Sequence, residues 1–141
     1  MSAKPVGADY PVTITVPVQW ADMDALGHVN NACFFTWLES VRIVLFDRVG
    51  VATGDPKGVG PILATTSCDF LRPVVYPETL RIGVRVSRVG ETSIAMDYEV
   101  RAADDNAALY ARGTSVAVLV DYRSMKKARV PDDVRAAIAK L

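Results

Sequence analysis

Hydrophobic and polar positions follow two different periods along the chain, and each period predicts a different element. Over residues 13–20, apolar side chains occupy every second position, which is the period of a half-buried β-strand. Over residues 30–49 they recur at helical spacing in two stripes that cover most of the circumference. The first stripe contains Phe34, Trp37, Leu38, Val41, Leu45 and Val49, and the second contains Phe35, Ile43 and Phe46. A long helix is therefore predicted at the centre of a domain, with Asn30 as its N-cap and Gly50 at its end.

Beyond a glycine- and proline-rich loop at residues 53–61, the period changes from helical to alternating. Strands are predicted at residues 62–71, 80–86, 94–100 and 107–120, with turns at 89–91 and 104–106. A short helix is predicted over 131–141, because a proline and two aspartates favour a helix start there. The order of elements favours a single α+β domain spanning residues 1–141, with an antiparallel sheet of about five strands wrapped around one long central helix.

A single sheet around one helix leaves an edge of the sheet and part of a face uncovered. Pairing with a second copy of the chain would cover them, so at least a homodimer is expected. The last strand also carries small side chains at alternating positions, where another part of the backbone could approach closely. These side chains belong to Ala111, Gly113, Ser115 and Ala117.

Composition and charge narrow the classes of protein that fit this fold. The chain has 16 Lys and Arg against 16 Asp and Glu, so it lacks the basic surplus of a nucleic-acid binder. Cys33 and Cys68 form no CxxC pair and are interpreted as reduced thiols of a cytosolic protein, with a single disulfide bridge between them as the alternative. No apolar run approaches the roughly 20 residues of a membrane span, and residues 1–9 lack the features of a signal peptide. A cytoplasmic protein without nucleic-acid or membrane partners is predicted.

The stretch W-A-D-M-D-A-L-G-H-V-N-N at residues 20–31 concentrates the candidate chemistry. Asp22, Asp24 and His28, the only histidine of the chain, stand immediately before the predicted helix. The free N–H groups and the dipole of a helix start favour negative charge and can stabilise the oxyanion formed in acyl transfer. A carboxylate beside them could attack the acyl carbon or activate a water molecule. The stretch therefore indicates an acyl-transfer or hydrolysis site.

The same stretch, with the aromatic residues and Glu39 that follow it, resembles the motif of the 4-hydroxybenzoyl-CoA thioesterase-like family of the hotdog fold. The runs C-D-F-L-R-P at 68–73 and V-D-Y at 120–122 are similar to their counterparts in that family. The resemblance implies an enzyme that hydrolyses an acyl-CoA to a free carboxylic acid and coenzyme A. It implies no metal and no bound cofactor, since coenzyme A is part of the substrate. It also implies homodimers or homotetramers with the active site at a subunit interface.

The resemblance further assigns roles to residues of the motif. It implies that Asp22 is the nucleophile or the general base, and that the backbone N–H near Val29 polarises the thioester carbonyl. In related plant thioesterases that act on carrier proteins, the catalytic residues occupy the positions that correspond to Asp24, Leu26 and His28. Because leucine cannot replace an asparagine there, Asp22 is favoured. His28 is a candidate for proton transfer, with a structural hydrogen-bonded role as the alternative.

Three further residues complete the candidate site. Asn30 is expected to cap the helix and secondarily to contact substrate. Glu39 falls on the second apolar stripe, so it is expected among apolar side chains, paired with Arg42 or serving as a second carboxylate of the site. Arg72 is a candidate for binding the phosphates of coenzyme A. A basic cluster is a second candidate, and the alternative interpretation of this cluster is a solvated basic tail. That cluster contains Arg123, Lys126, Lys127 and Arg129.

Other interpretations of the same residues stay open at this point. The acyl donor could be a carrier protein that docks on the basic cluster, or the chain could bind acyl-CoA without turnover. A hotdog dehydratase would need a different arrangement of aspartate and histidine. Phe34, Phe35 and Trp37 could line a pocket for an aromatic acyl group or simply belong to the core, so the acyl group is undetermined. A lone histidine without a neighbouring cysteine predicts no metal site.

Overall fold

Six strands form one antiparallel sheet in the computed structural model, which describes residues 9–55 and 57–141. In chain order they are β1 (Val12–Pro17), β2 (Val59–Phe70), β3 (Thr79–Val89), β4 (Ser93–Ala102), β5 (Leu109–Asp121) and β6 (Lys126–Lys127). Helix α1 (Asn31–Val49) follows β1, helix α2 (Asp132–Ala139) follows β6, and a 3₁₀ turn covers Trp20–Asp22. The spatial order is β1-β3-β4-β5-β2, with β6 beside β5. The predicted antiparallel sheet with one long and one short helix is confirmed.

Helix α1 lies against one face of the sheet, and its two apolar stripes differ in how far they are buried. Every residue of the first predicted stripe is buried. In the second stripe Phe46 is buried, but Phe35 and Ile43 are 36% and 44% exposed. The expectation that the domain covers most of the helix is therefore wrong on this side, because the described part of the chain supplies no element to lie over it. The predicted end is confirmed, since Gly50 adopts a left-handed conformation with φ of 86°.

The row of small side chains on β5 lies beneath α1. Ala111, Ser115 and Ala117 are buried, and a Cβ added at Gly113 would meet Leu38 Cδ1 at 2.8 Å and a backbone oxygen of β2 at 3.1 Å. On the helix side this close contact is made by the Leu38 side chain, whereas the pattern of small residues predicted the approach of another backbone.

Strand β2 is the edge strand on the side of the sheet where α1 is exposed. It pairs with β5 from Val59 opposite Asp121 to Phe70 opposite Ala111, and its other side has no partner strand in the described residues. The strand begins three residues before the predicted start, because it continues into the stretch taken for a loop. The short strand β6 was not predicted, since two lysines carry no alternating apolar pattern.

No helix among the described residues is both long and apolar enough to cross a membrane. The interpretation of the first nine residues as lacking a signal peptide rests on positions 1–8, which lie outside the described residues.

Candidate functional site

A narrow backbone hairpin carries Asp22 to the start of α1. Met23 and Val29 face each other in an isolated antiparallel bridge. One step outward, the Asn30 N–H donates to the Asp22 carbonyl oxygen at 2.9 Å. Because Asn30 is the residue that caps α1, this bond attaches the backbone of Asp22 to the first turn of the helix. Residues that the sequence places eight positions apart therefore become neighbours at one helix end.

Asp24 closes the tip of this hairpin. Its Oδ1 accepts a hydrogen bond from the Leu26 N–H at 2.9 Å, and its N–H donates to the His28 carbonyl oxygen at 2.9 Å. Gly27 completes the turn with a φ of 85°, a left-handed conformation that favours glycine. The carboxylate of Asp24 thus supports the turn that presents Asp22.

The two carboxylate oxygens of Asp22 have different surroundings. Oδ2 accepts a hydrogen bond from the Gln19 N–H at 2.7 Å, which fixes the orientation of the side chain. Oδ1 lies 3.8 Å from the Cys33 Sγ in the first turn of α1, a long contact with a weak donor. The residue is partly buried. Asp22 therefore presents one firmly held oxygen and one that is nearly free beside the helix start.

The first N–H groups of α1 differ in whether they are already engaged. The Val29 N–H donates to the Val74 carbonyl oxygen at 2.8 Å, so in this geometry it is not free to polarise a thioester carbonyl. The Asn31 N–H has no acceptor within residues 9–55 and 57–141, as expected for the first residue of a helix. The free N–H at this helix start therefore belongs to Asn31, two residues after Val29.

Asn30 is the N-cap, as predicted. Its side-chain oxygen accepts a hydrogen bond from the Ala32 N–H at 2.9 Å. We expect Asn30→Ala to lower the free energy of unfolding by about 1 kcal/mol, whereas Asn30→Asp should keep the cap and lose only a few tenths. Urea denaturation of the three proteins measures the difference. Equal losses in both variants would contradict the capping role.

A cavity of about 210 Å³ opens beside the helix start. It is bounded by His28, Val29, Asn31 and Phe34 on one side and by the segment 70–74 on the other. The structure therefore brings His28, Val29 and Arg72 together at one cavity, although Arg72 is distant from the motif in sequence. Asp22 and Glu39 are not among the residues that line it. Asp22 belongs to the same helix end through its contacts with Asn30 and Cys33.

Glu39 does not lie among buried apolar side chains, contrary to the expectation from its stripe. Its side chain is 63% exposed, and its Oε2 forms the predicted ion pair with Arg42 Nη2 at 4.0 Å. The reason is that the side of α1 carrying Glu39 is the side that the described chain leaves uncovered. It is Arg42 that is buried, at 7% exposure.

The basic cluster lies far from Arg72 within one chain. Arg72 donates its N–H to the carbonyl oxygen of Tyr110, near the start of β5. Strand β6, which carries Lys126 and Lys127, pairs with Val120 and Asp121 at the other end of β5. Ten residues of extended strand separate the two positions, about 30 Å. The cluster therefore does not border the mouth of this cavity in the same chain.

The thiol of Cys33 lies next to Asp22. The sequence alone did not identify it as a neighbour of this carboxylate. Burial and the Asp22 carboxylate raise the pKa of the Cys33 thiol, and burial with Asp69 raises that of Cys68 to about 11. Both thiols therefore stay protonated near neutral pH, which disfavours either sulfur as a nucleophile. The helical register of Cys33, one turn after the cap, was the signal available in the sequence.

We expect Cys68 to react slowly with thiol reagents in the native protein. A pKa near 11 instead of the ordinary 9 leaves about a hundredfold less thiolate at pH 8. The rate of reaction with Ellman's reagent, measured for Cys33→Ser with and without urea, tests this expectation. A native rate equal to the rate in urea would contradict it.

Among the described residues, no group of three or more histidine, cysteine, aspartate or glutamate side chains is arranged to hold a metal ion. What the site offers is a carboxylate, an unpaired N–H and a helix dipole at one end of α1, beside a cavity with an imidazole and a guanidinium. This set can polarise a carbonyl and deliver a nucleophile to it.

The family model of the thioesterase-like superfamily matches residues 18–138. The chain therefore belongs to the thioesterase-like superfamily, and the prediction of a thioester hydrolase is confirmed at the level of this class. The match spans the hairpin that carries Asp22, helix α1 and strands β2 to β6.

Solved structures agree with this assignment. The PA2801 protein of Pseudomonas aeruginosa is 33% identical and superposes with a TM-score of 0.82, covering 90% of this chain and 97% of the other. A thioesterase of Thermus thermophilus, crystallised with coenzyme A and Zn, is 31% identical with a TM-score of 0.80 and 94% of each chain covered. A 1,4-dihydroxy-2-naphthoyl-CoA thioesterase of Synechocystis, 22% identical with a TM-score of 0.81, shares the fold over 92% of this chain and 96% of its own.

A curated relative is similar over a shorter span. The Bacillus subtilis protein YsmA is 36% identical over 83 residues, which is 59% of this chain. The matched region covers 56% of YsmA, little more than half the length of that relative.

Proposed function

We propose that the protein is a hotdog-fold thioesterase that hydrolyses an acyl-CoA to a carboxylic acid and coenzyme A, with Asp22 as nucleophile or general base. The observation that carries the proposal is the position of Asp22. Its Oδ1 lies next to the first turn of α1, while its Oδ2 is fixed by the Gln19 N–H. The Thermus thermophilus thioesterase, crystallised with coenzyme A, supports coenzyme A as the carrier of the acyl group.

The chemistry follows from the charge that develops during hydrolysis. Attack at the acyl carbon, by Asp22 Oδ1 or by a water that this oxygen deprotonates, moves an electron pair onto the carbonyl oxygen. The Asn31 N–H and the positive end of the α1 dipole stabilise that oxyanion. Collapse of the tetrahedral intermediate breaks the C–S bond and releases coenzyme A as its thiolate. If Asp22 is the nucleophile, this collapse leaves a mixed anhydride on Asp22, which a water molecule then hydrolyses to the acid and the free carboxylate. If Asp22 is the general base, the attacking water itself supplies the second oxygen of the acid.

His28 and Arg72 are proposed to act on the cavity side of this centre. Both side chains are exposed where they border the cavity, so a ligand entering from solvent meets them first. A guanidinium pairs well with phosphate oxygens, so Arg72 is proposed to bind a phosphate of coenzyme A. His28 is proposed to orient the attacking water or to protonate the leaving thiolate.

The proposed assembly is a homodimer formed along the edge of β2. Its Ile62 and Leu63 are 36% and 40% exposed, and the uncovered side of α1 stands beside them. An edge strand with apolar side chains on both faces is a template for pairing with another strand. Antiparallel pairing of two β2 strands would cover the exposed side of α1 in each copy and bring the basic cluster of one copy toward the cavity of the other.

The test is release of thiol from a panel of aliphatic and aromatic acyl-CoAs by the purified protein, compared with acyl groups on a carrier protein. The proposal expects turnover of at least one acyl-CoA. Turnover restricted to carrier-protein substrates would show that the acyl donor is a carrier protein and not coenzyme A. Tight binding of acyl-CoA without thiol release would show a binding module and overturn the proposal.

A further inference from the structure

The cavity beside the start of α1 differs in chemistry between its rim and its floor. His28 and Arg72 border it with exposed polar side chains. Val29, Phe34 and Val74 border it with buried apolar side chains. An apolar floor beneath a polar rim suits a ligand with an apolar end and a polar remainder. In an acyl-CoA the apolar end is the acyl group, so the floor limits how far that group can extend.

Helix geometry places this floor close to the reacting centre. The Asn31 N–H is proposed to bind the thioester oxygen, and Phe34 lies three residues later, an advance of about 4.5 Å along the helix. The Phe34 side chain, like other large side chains of a helix, leans back toward the N-terminus. An extended chain advances about 1.2 Å per bond, so no more than about four bonds separate the acyl carbon from the level of Phe34. The whole cavity of about 210 Å³ is about 7 Å across, which is room for about six bonds.

Phe70, the last residue of β2, forms the wall of this cavity toward the uncovered side of α1. It pairs with Ala111, which is buried beneath the helix, so the Phe70 side chain also points toward α1. Its ring meets the Phe34 ring edge-on, with centroids 5.1 Å apart, and the Phe35 ring at 6.3 Å. Phe34 borders the cavity and Phe35 does not. The Phe70 ring therefore stands between the cavity and the exposed side of α1.

The floor of the cavity is held more firmly than this wall. Phe34 is 2% exposed and also packs against Trp37, with ring centroids 5.1 Å apart. Phe70 is 39% exposed, so a smaller or larger side chain can replace it at little cost to packing. On the far side of Phe70, the exposed side chains of Phe35 and Ile43 offer an apolar surface. A chain longer than the cavity could reach that surface only if the side chain at position 70 were smaller.

We propose that Phe70 limits the length of the acyl group, so that the preferred substrates are acyl-CoAs with chains of about six carbons or fewer. The proposal rests on the thioesterase function argued above and specifies its substrate class. Phe70 is a specificity-determining residue that contacts the end of the acyl chain, away from the thioester. A second copy of the chain would add to the rim of the cavity, because Val29, Phe34 and Val74 close its floor within one chain.

The test is kcat/KM for a series of straight-chain substrates, from acetyl-CoA through butyryl-, hexanoyl- and octanoyl-CoA to decanoyl-CoA. In the wild type, kcat/KM is expected to rise about fourfold per methylene up to hexanoyl-CoA, because each added methylene becomes buried. From hexanoyl-CoA to decanoyl-CoA it should stay level or fall. Phe70→Ala should raise the ratio of decanoyl-CoA to hexanoyl-CoA at least about tenfold. Phe70→Trp should shift the preference the other way, toward butyryl-CoA.

The matched control is Phe35→Ala, the same substitution in the ring that contacts Phe70 from outside the cavity. Because Phe35 does not border the cavity, the ratio should equal that of the wild type. If Phe70→Ala does not fold, Phe70→Leu and Phe70→Trp still shift the preferred length in opposite directions. A wild-type kcat/KM that keeps rising up to decanoyl-CoA, or an unchanged ratio in a folded Phe70→Ala, would overturn the proposal. An equal shift in Phe35→Ala would do the same, because it would assign the limit to the packing of the aromatic cluster.

A separate measurement keeps this inference apart from the proposed function. Calorimetric titration of Asp22→Asn with hexanoyl-CoA and decanoyl-CoA compares their affinities without turnover. Affinities that are equal in Asp22→Asn, but favour decanoyl-CoA in the Asp22→Asn, Phe70→Ala double variant, support the role of Phe70 even if the wild type hydrolyses neither compound. Tighter binding of decanoyl-CoA while Phe70 is present overturns it even if both compounds are hydrolysed.

Discussion

Asp22→Asn is expected to lower kcat for acyl-CoA hydrolysis by about 10³-fold or more, because the amide can neither attack the acyl carbon nor take a proton from water. The substitution is nearly isosteric, and the asparagine side-chain oxygen can still accept the 2.7 Å hydrogen bond from the Gln19 N–H. Folding should therefore be unaffected. Affinity for acyl-CoA should also persist, since the cavity residues are unchanged. Steady-state thiol release and a thermal unfolding curve for each protein provide the measurement.

Charging the edge of β2 is expected to produce the second large effect. Ile62→Lys, Leu63→Lys places two like charges on the strand that would meet its copy across a two-fold axis, and lysine on an edge strand blocks pairing. Two disrupted contacts at the centre of an interface should weaken the dimer by at least about a hundredfold. Activity should fall with it, because the proposed dimer brings the basic cluster of one copy toward the cavity of the other. Sedimentation at several protein concentrations measures the association.

Met125→Lys is the matched control for this change. Met125 is 59% exposed in the turn between β5 and β6, away from the β2 edge. It should associate and turn over substrate as the wild type does. A double variant that stays dimeric would show that another surface forms the interface, and a monomeric double variant with full activity would show that the site does not need a second copy.

Local patterns predicted the parts of the site whose geometry is local. Asn30 and Gly50 bound α1 as predicted, because capping depends on a few consecutive residues. The hairpin that presents Asp22 is likewise contained within residues 22–30. The hydrogen bonds of this hairpin join residues that are close in sequence, so the placement of Asp22 at the helix start follows from chain order.

Contacts between distant segments could not be predicted in the same way. Val29 gives its N–H to Val74, a residue 45 positions later, and nothing in the motif indicates that bond. Glu39 lies on an apolar stripe, but a stripe does not reveal whether the chain itself or a second copy covers it. The burial of Arg42 did leave a signal, since Leu38 and Phe46 stand one turn before and after it in the buried register.

The most direct test of the central claim is kcat for release of coenzyme A by Asp22→Asn and by Asp24→Asn, measured on one substrate in one assay. The two variants make the same chemical change two residues apart in the same hairpin. We expect a loss of about 10³-fold or more for Asp22→Asn and a rate within about tenfold of the wild type for Asp24→Asn. A folded Asp22→Asn variant that keeps the wild-type rate, with the loss appearing in Asp24→Asn instead, would contradict it.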